Sequence, residues 1–188
     1  MEHSIESNVV VSGFGGQGVL LAGQILARAF MLNGLNITWL PAYGAEMRGG
    51  TVNCTIAFSE DEVASAYTEQ PENAIALNLP SFEKFEAKLK SGGTILVNST
   101  LVDAKPKRTD IFYKYIPITE IAHKIGDIKT ANMAAIGAFI ATLPCIKIDN
   151  VKKVITEVFK TKKEQLIDKN IKALQEGYEF IKSKTFVH

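Results

Sequence analysis

The residues with the clearest capacity for chemistry in this 188-residue chain are glycines. Gly13-Phe14-Gly15-Gly16-Gln17-Gly18 follows an apolar run, Val9-Val10-Val11, and precedes a stretch of helical periodicity. That is G-x-G-x-x-G between a strand and a helix, the setting that raises the pattern above chance. Glycines allow a tight turn and let backbone N–H groups approach a phosphate, and the N-terminus of the next helix adds partial positive charge. Gly13, Gly15, Gly16, Gln17 and Gly18 are therefore candidate phosphate contacts. The alternative is a tight strand-to-helix turn that binds nothing, and the lysine of a P-loop is missing.

A second candidate is Arg48. Before Lys84 the chain holds two basic residues, Arg28 and Arg48, and Arg48 stands beside Gly49-Gly50. Its guanidinium offers a fixed fork to a phosphate or a carboxylate; the competing reading is an ion pair with Glu46 or another acid that shapes the loop. Tyr43, Glu46, Met47 and Gly49 of the same segment are read as partner-facing.

No residue is assigned to catalysis. The chain has no G-x-S-x-G elbow, and of His3, His123 and His188 only His123 is internal, on a surface-type helix. Nor is a metal site expected: Cys54 and Cys145 are far apart, form no CxxC and have no histidine at ligand spacing. They read as two buried, reduced thiols. An iron-sulfur cluster, which takes about four cysteines, cannot be held by this chain alone.

The elements that must position these residues follow from periodicity and punctuation. Val9–Val11 reads as a buried strand, and Val19 to Leu32 as a helix that stops at Asn33-Gly34. Ile37 to Leu40 is the second strand, and Pro41 to Gly50 a loop. Thr51 to Phe58 is a strand; Ala74 to Leu77 is another. A helix runs from Pro80 to Lys90, then a strand from Thr94 to Asn98 after Gly92-Gly93. Ile111 to Ile116 is a further strand and Pro117 to Ile125 a short helix ending at Gly126. Ala131 to Leu143 is a helix apolar almost all round, rich in small residues and suited to close packing on several sides. Asp149 to Ser183 gives two amphipathic helices.

This alternation predicts a three-layer α/β fold: a mainly parallel sheet with helices on both faces, a Rossmann-like glycine loop after strand one and a helical C-terminal third. Asn78 and Asn98 end strands at the edge where such sheets bind ligands, and each equally suits a cap for the next helix or turn. A dinucleotide site would place an acid at the end of the second strand. The residues there are Trp39-Leu40-Pro41-Ala42, which counts against an independent NAD- or nucleotide-binding protein, the alternative function.

Bulk properties bound the rest. With 46% hydrophobic residues the chain can bury one sizeable core, so residues 1–188 are expected to be a single domain. The net charge of +1 conceals an asymmetry: residues 1–94 hold five Lys/Arg and ten Asp/Glu, and residues 95–188 sixteen and ten. The excess lysines sit on a helical stretch with no interleaved aromatic stripe, so no nucleic-acid partner is expected. No apolar run approaches the roughly 20 residues of a membrane span, and a cytoplasmic location is expected.

The two loops together resemble the gamma subunit of 2-oxoacid:ferredoxin oxidoreductases. Gly13–Gly18 is followed by Tyr43-Gly44-Ala45-Glu46-Met47-Arg48-Gly49-Gly50, and the likeness continues through Ala76-Leu77-Asn78-Leu79-Pro80-Ser81, Gly92-Gly93-Thr94, Asn132-Met133-Ala134-Ala135-Ile136-Gly137-Ala138 and a closing helix around Asn170 to Tyr178. Ala45 departs from the proline of many relatives, and Leu79 from a more usual glutamine. The resemblance implies a subunit, inactive alone, of a complex that converts a 2-oxoacid and coenzyme A to an acyl-CoA and carbon dioxide and passes electrons to ferredoxin or flavodoxin. Thiamine diphosphate, Mg and iron-sulfur clusters would then reside on alpha, beta and delta-type partners. Coenzyme A would be a substrate of the complex, with the glycine loop and Arg48 as candidate contacts for its phosphates. Met47 to Cys54 is similar to 2-oxoglutarate or branched-chain members more than to pyruvate members, and 2-oxoglutarate is favoured.

Overall fold

The computed structural model describes residues 6–42, 51–63, 65, 67–162 and 164–184. The first apolar run is part of β1 (Glu6–Phe14), and the helical pattern behind the glycines is α1 (Val19–Leu32). Then come β2 (Asn36–Ala42), β3 (Thr51–Ser59), β4 (Asn73–Ala76), α2 (Leu79–Lys88), β5 (Thr94–Asn98) and β6 (Phe112–Ile116). The helical third comprises α3 (Ile118–Ile125), α4 (Ala131–Ile140), α5 (Ile148–Phe159) and α6 (Glu164–Ser183). α4 ends before the expected Leu143. The N–H groups of Thr142 and Leu143 reach carbonyls three residues back, at 2.9 and 3.0 Å, a tightened last turn forced by Pro144, which disfavours the helical conformation for the residue before it.

The strands form one sheet in the order β2-β3-β1-β4-β5-β6. β3 pairs antiparallel with β1 and β2, and all other pairings are parallel. β3 alone therefore opposes the common direction, and the sheet is mainly parallel as expected. The β1-α1-β2 crossover does not bring β2 beside β1, because β3 returns between them. The end of β2 thus stands two strands, about 10 Å, from the glycine loop. The position where a dinucleotide site would need its acid is occupied instead by the start of β3, where Thr51 pairs with Phe14.

The two faces are covered unequally. One carries α1 and α3 to α6 over Val9, Val11, Cys54, Ile56, Phe58, Ile75, Leu77, Leu96 and Ile116. The other carries α2, whose Phe82 and Phe85 cover Val10, Ala74, Ala76, Ile95 and Val97. On that second face the buried Glu86 carboxylate accepts the Tyr113 hydroxyl at 2.5 Å and the Lys107 N–H at 2.8 Å, pinning the segment before β6. Burial and the Glu86 contact push the Tyr113 phenol up to about 12.

α4 is the most enclosed element, with every residue from Asn132 to Ile140 buried. It crosses α6 backbone to backbone: a Cβ at Gly137 would run into the Leu174 carbonyl, and one at Gly177 into that of Ala134. Among the described residues, no helix is long and apolar enough to cross a membrane.

Candidate functional site

The glycine loop leaves β1 at the carboxyl edge of the parallel strands and enters α1. Gln17 N–H donates to the Phe14 carbonyl at 3.2 Å, which makes the turn tight. Gly16 and Gly18 take φ of 92° and 72°, in the left-handed region that glycine enters without steric cost. At Gly18 a second constraint applies, because a Cβ would collide with the Asn132 amide.

The structure divides the five glycine-loop candidates. Gly13 is buried inside β1 opposite Val52 and offers no contact. Gln17 is turned inward: its Oε1 accepts the Phe14 N–H at 2.6 Å and the Asn78 amide at 3.2 Å, and its Nε2 donates to the Leu77 carbonyl at 3.4 Å. Both polar atoms of its side chain thus brace the loop, which counts against its place among the candidate phosphate contacts.

Gly15, Gly16 and Gly18 remain. Among the described residues, none of their N–H groups makes a backbone hydrogen bond, and Gly15 and Gly16 are exposed. The first helical bond of α1 runs from Ala22 N–H to the Gly18 carbonyl at 2.9 Å, so the N–H groups of Val19, Leu20 and Leu21 also lack helical partners. The described side chains that hold the loop, Gln17, Asn78 and Asn132, are not ionisable. Attraction for an anion here comes from backbone dipoles.

Asn78 and Asn98 prove to be caps and braces. Asn78 Oδ1 accepts the Ser81 N–H at 2.9 Å and starts α2. Asn98 Nδ2 donates to the Leu77 carbonyl and to Thr119 Oγ1, and its Oδ1 accepts the Thr119 N–H, tying β5 to α3. A residue not singled out for any role also touches the loop: Asn132 Nδ2 donates to the Gly18 carbonyl at 3.2 Å. The signal was present in the sequence as one amide opening an otherwise apolar, small-residue helix.

Tyr43, Glu46, Met47, Arg48 and Gly49 lie outside the described residues. The flanks of their segment are placed: Ala42 pairs with Asn53, and Thr51 with Phe14, both at the carboxyl edge.

Cys54 is fully buried under α1, and burial pushes its thiol up to about 11, although the Trp39 indole faces it. Cys145 is half-buried rather than buried, since it follows Pro144 in the turn before α5. Among the described residues, no three of His, Cys, Asp and Glu gather as metal ligands would.

Residues 8–180 match the protein family described as pyruvate ferredoxin/flavodoxin oxidoreductase. Ketoisovalerate oxidoreductase subunit VorA of Methanothermobacter thermautotrophicus is 36% identical over 176 residues, covering 93% of this chain and 36% of VorA. The 2-oxoglutarate:ferredoxin oxidoreductase from Magnetococcus marinus, solved with 2-oxoglutarate, coenzyme A and succinyl-CoA bound, shares the fold at a TM-score of 0.87 and 24% identity, over 96% of this chain and 32% of that one. The keto/oxoacid ferredoxin oxidoreductase gamma subunit from Geobacter sulfurreducens PCA aligns at a TM-score of 0.80 and 29% identity, over 95% of this chain and 99% of that one. This chain thus spans about a third of the first two proteins and nearly all of the third.

Proposed function

The chain belongs to the pyruvate ferredoxin/flavodoxin oxidoreductase family, and from that membership we propose that it is the gamma subunit of a multi-subunit 2-oxoacid:ferredoxin oxidoreductase. The assembled enzyme would oxidise a 2-oxoacid with coenzyme A to an acyl-CoA and carbon dioxide, and pass two electrons to ferredoxin or flavodoxin. The favoured substrate is 2-oxoglutarate, giving succinyl-CoA. The observation that carries this reading is the family match across nearly the whole chain, supported by a gamma subunit of similar length and the same fold.

Thiamine diphosphate, Mg and iron-sulfur clusters fit partner subunits of alpha, beta and delta type. When bound there they supply the decarboxylation and electron transfer, for which this chain offers no ligand set among its described residues. The chain's own contribution is to coenzyme A. The open N–H groups of Gly15, Gly16 and Gly18, with the first N–H groups of α1, suit the phosphates, and Arg48 is proposed to meet the same groups. Tyr43, Glu46, Met47 and Gly49 are proposed to face the partner subunits.

Reconstitution tests the role. Omitting this chain from the complex is expected to abolish CoA-dependent 2-oxoacid oxidation and ferredoxin reduction, and undiminished activity without it would reject the assignment. A panel of 2-oxoglutarate, 2-oxoisovalerate, indolepyruvate and pyruvate assayed on the complete complex identifies the substrate, with the highest kcat/KM expected for 2-oxoglutarate.

A further inference from the structure

The Asn132 amide is 2% exposed, and its two polar atoms have different fates. Nδ2 donates to the Gly18 carbonyl, whereas Oδ1 is buried without a hydrogen-bond partner among the described residues. A buried acceptor left unpaired costs stability, and native proteins retain few of them. Hydrophobic side chains of the same shape fit the apolar run of α4 and avoid that cost. Retention of an amide here therefore calls for a reason other than stability.

The geometry supplies one. The peptide between Gly18 and Val19 is planar, so its C=O and N–H point in opposite directions. The Gly18 carbonyl points down α1, where it accepts both Ala22 N–H at 2.9 Å and Asn132 Nδ2 at 3.2 Å. Fixing that carbonyl fixes the Val19 N–H in the opposite direction, back past the N-terminus of α1. The anchor is rigid, because α4 is buried throughout and locked to α6 by the Gly137 and Gly177 crossing. The same amide packs so closely on Gly18 that no Cβ fits. A site for a phosphate needs its donors held in place before the ligand arrives, and a side chain on an immobile element does that better than one on the loop.

We propose that Asn132 is a positioning residue for the phosphate-binding face of the glycine loop: it holds the Gly18–Val19 peptide so that the N–H groups converge on a phosphate ester of coenzyme A. This rests on the functional reading above. Asn132 touches no reacting atom; it acts through Gly18.

The test uses the assembled complex carrying Asn132→Leu. Removing an unpaired acceptor offsets the lost bond to Gly18, so the thermal midpoint is expected to stay level or rise. The KM for coenzyme A is expected to rise about tenfold, while kcat at saturating coenzyme A and the KM for the 2-oxoacid stay within about twofold. Asn132→Ser, which leaves room for a water between its hydroxyl and Gly18, is expected to give an intermediate KM and serves as the readout if the leucine variant does not assemble. A lower thermal midpoint with an unchanged KM for coenzyme A, in either variant, overturns the proposal and makes Asn132 a packing residue. A wild-type complex that turns over without coenzyme A refutes the functional reading itself, whereas normal wild-type CoA kinetics with an unmoved variant KM refutes only the role of Asn132.

Discussion

Two glycine turns stand at opposite edges of the sheet, and they use the same residue to opposite ends. At the amino edge, before β5, Gly92 has a φ of 78°. Its N–H donates to the Asp110 carbonyl at 2.7 Å, and the Gly93 N–H to that of Lys90 at 2.9 Å. The Gly93 carbonyl accepts Phe112 N–H at 2.8 Å, and Thr94 N–H reaches the Glu72 carbonyl at 2.9 Å. An ion pair of Lys90 with Glu72 at 2.8 Å, with Ser7 donating to the same carboxylate, closes the turn. At the carboxyl edge, Gly16 and Gly18 share the left-handed conformation, yet their N–H groups and that of Gly15 find no partner among the described residues. Positive φ and glycine density do not separate a structural turn from a binding loop. The fate of the N–H groups is what sets the proposed binding loop apart.

The largest expected effect crosses the two turns. At Gly93 a Cβ would lie 2.6 Å from the Glu72 carbonyl oxygen and 2.8 Å from that of Lys90. Those are backbone atoms that cannot rotate away, so Gly93→Ala is expected to cost about 3 kcal/mol in denaturant unfolding. The KM for coenzyme A in the complex should not move. A Cβ at Gly15 meets nothing within 4 Å among the described residues, so Gly15→Val should change stability by less than about 0.5 kcal/mol. If the proposed phosphate site is on this loop, added bulk there should obstruct it, and the KM for coenzyme A should rise about tenfold, equivalent to roughly 1.4 kcal/mol. Unchanged kinetics in Gly15→Val would break the comparison and leave both turns structural.

A smaller effect is expected at the brace between loop and sheet. Gln17→Glu keeps the oxygen that accepts from Phe14 and Asn78 and loses the bond from Nε2 to the Leu77 carbonyl. Stability should fall by about 1 kcal/mol. The new carboxylate lies behind the donors proposed to meet an anion, so the KM for coenzyme A should rise a few-fold at low ionic strength and recover with added salt. A salt-independent KM would place the phosphate elsewhere on the surface.

Most of the fold was legible because each element ends on a residue with one physical meaning: Gly34 and Gly126 close α1 and α3 in the left-handed conformation, and Asn78 caps α2. The return of β3 between β1 and β2 was not legible. Strand order depends on which long-range pairing buries more surface, and no local signal in Asn36–Ser59 carries that. The glycine loop was readable as a motif, but its division was not. Nothing in the sequence tells the strand-paired, buried Gly13 from the exposed Gly15, and Gln17 looks like a ligand contact until its three internal bonds are seen. Asn132 belonged to a recognised segment without a role, since an amide in an apolar helix marks a constraint without naming its partner 114 residues away.

The smallest expected effect is electrostatic and belongs to the amino edge alone. The Arg108 guanidinium grips Asp110 through both oxygens, at 2.9 and 2.6 Å, and holds its carboxyl down at about 2 against an ordinary value of 3.8. Burial pushes Glu72 up, but the hydrogen bonds from Lys90 and Ser7 and the Lys90 charge outweigh it, and this carboxyl too lies below its usual value. A carboxylate depressed on folding contributes stability that is complete above its unfolded value and is lost as pH falls through the folded one. The stability supplied by Asp110 should therefore decline between about pH 4 and pH 2, and Asp110→Asn should flatten the unfolding curve over that window. Asp110 is exposed and its Arg108 partner half-buried, so salt should shrink the difference. The KM for coenzyme A at neutral pH should be untouched by Asp110→Asn, because the described side chains that hold the carboxyl-edge loop have no titrating group. An acid limb of unaltered slope in that variant would mean that the amino-edge turn is held by its backbone bonds alone, and the contrast between the two turns would then rest on N–H groups without help from charge.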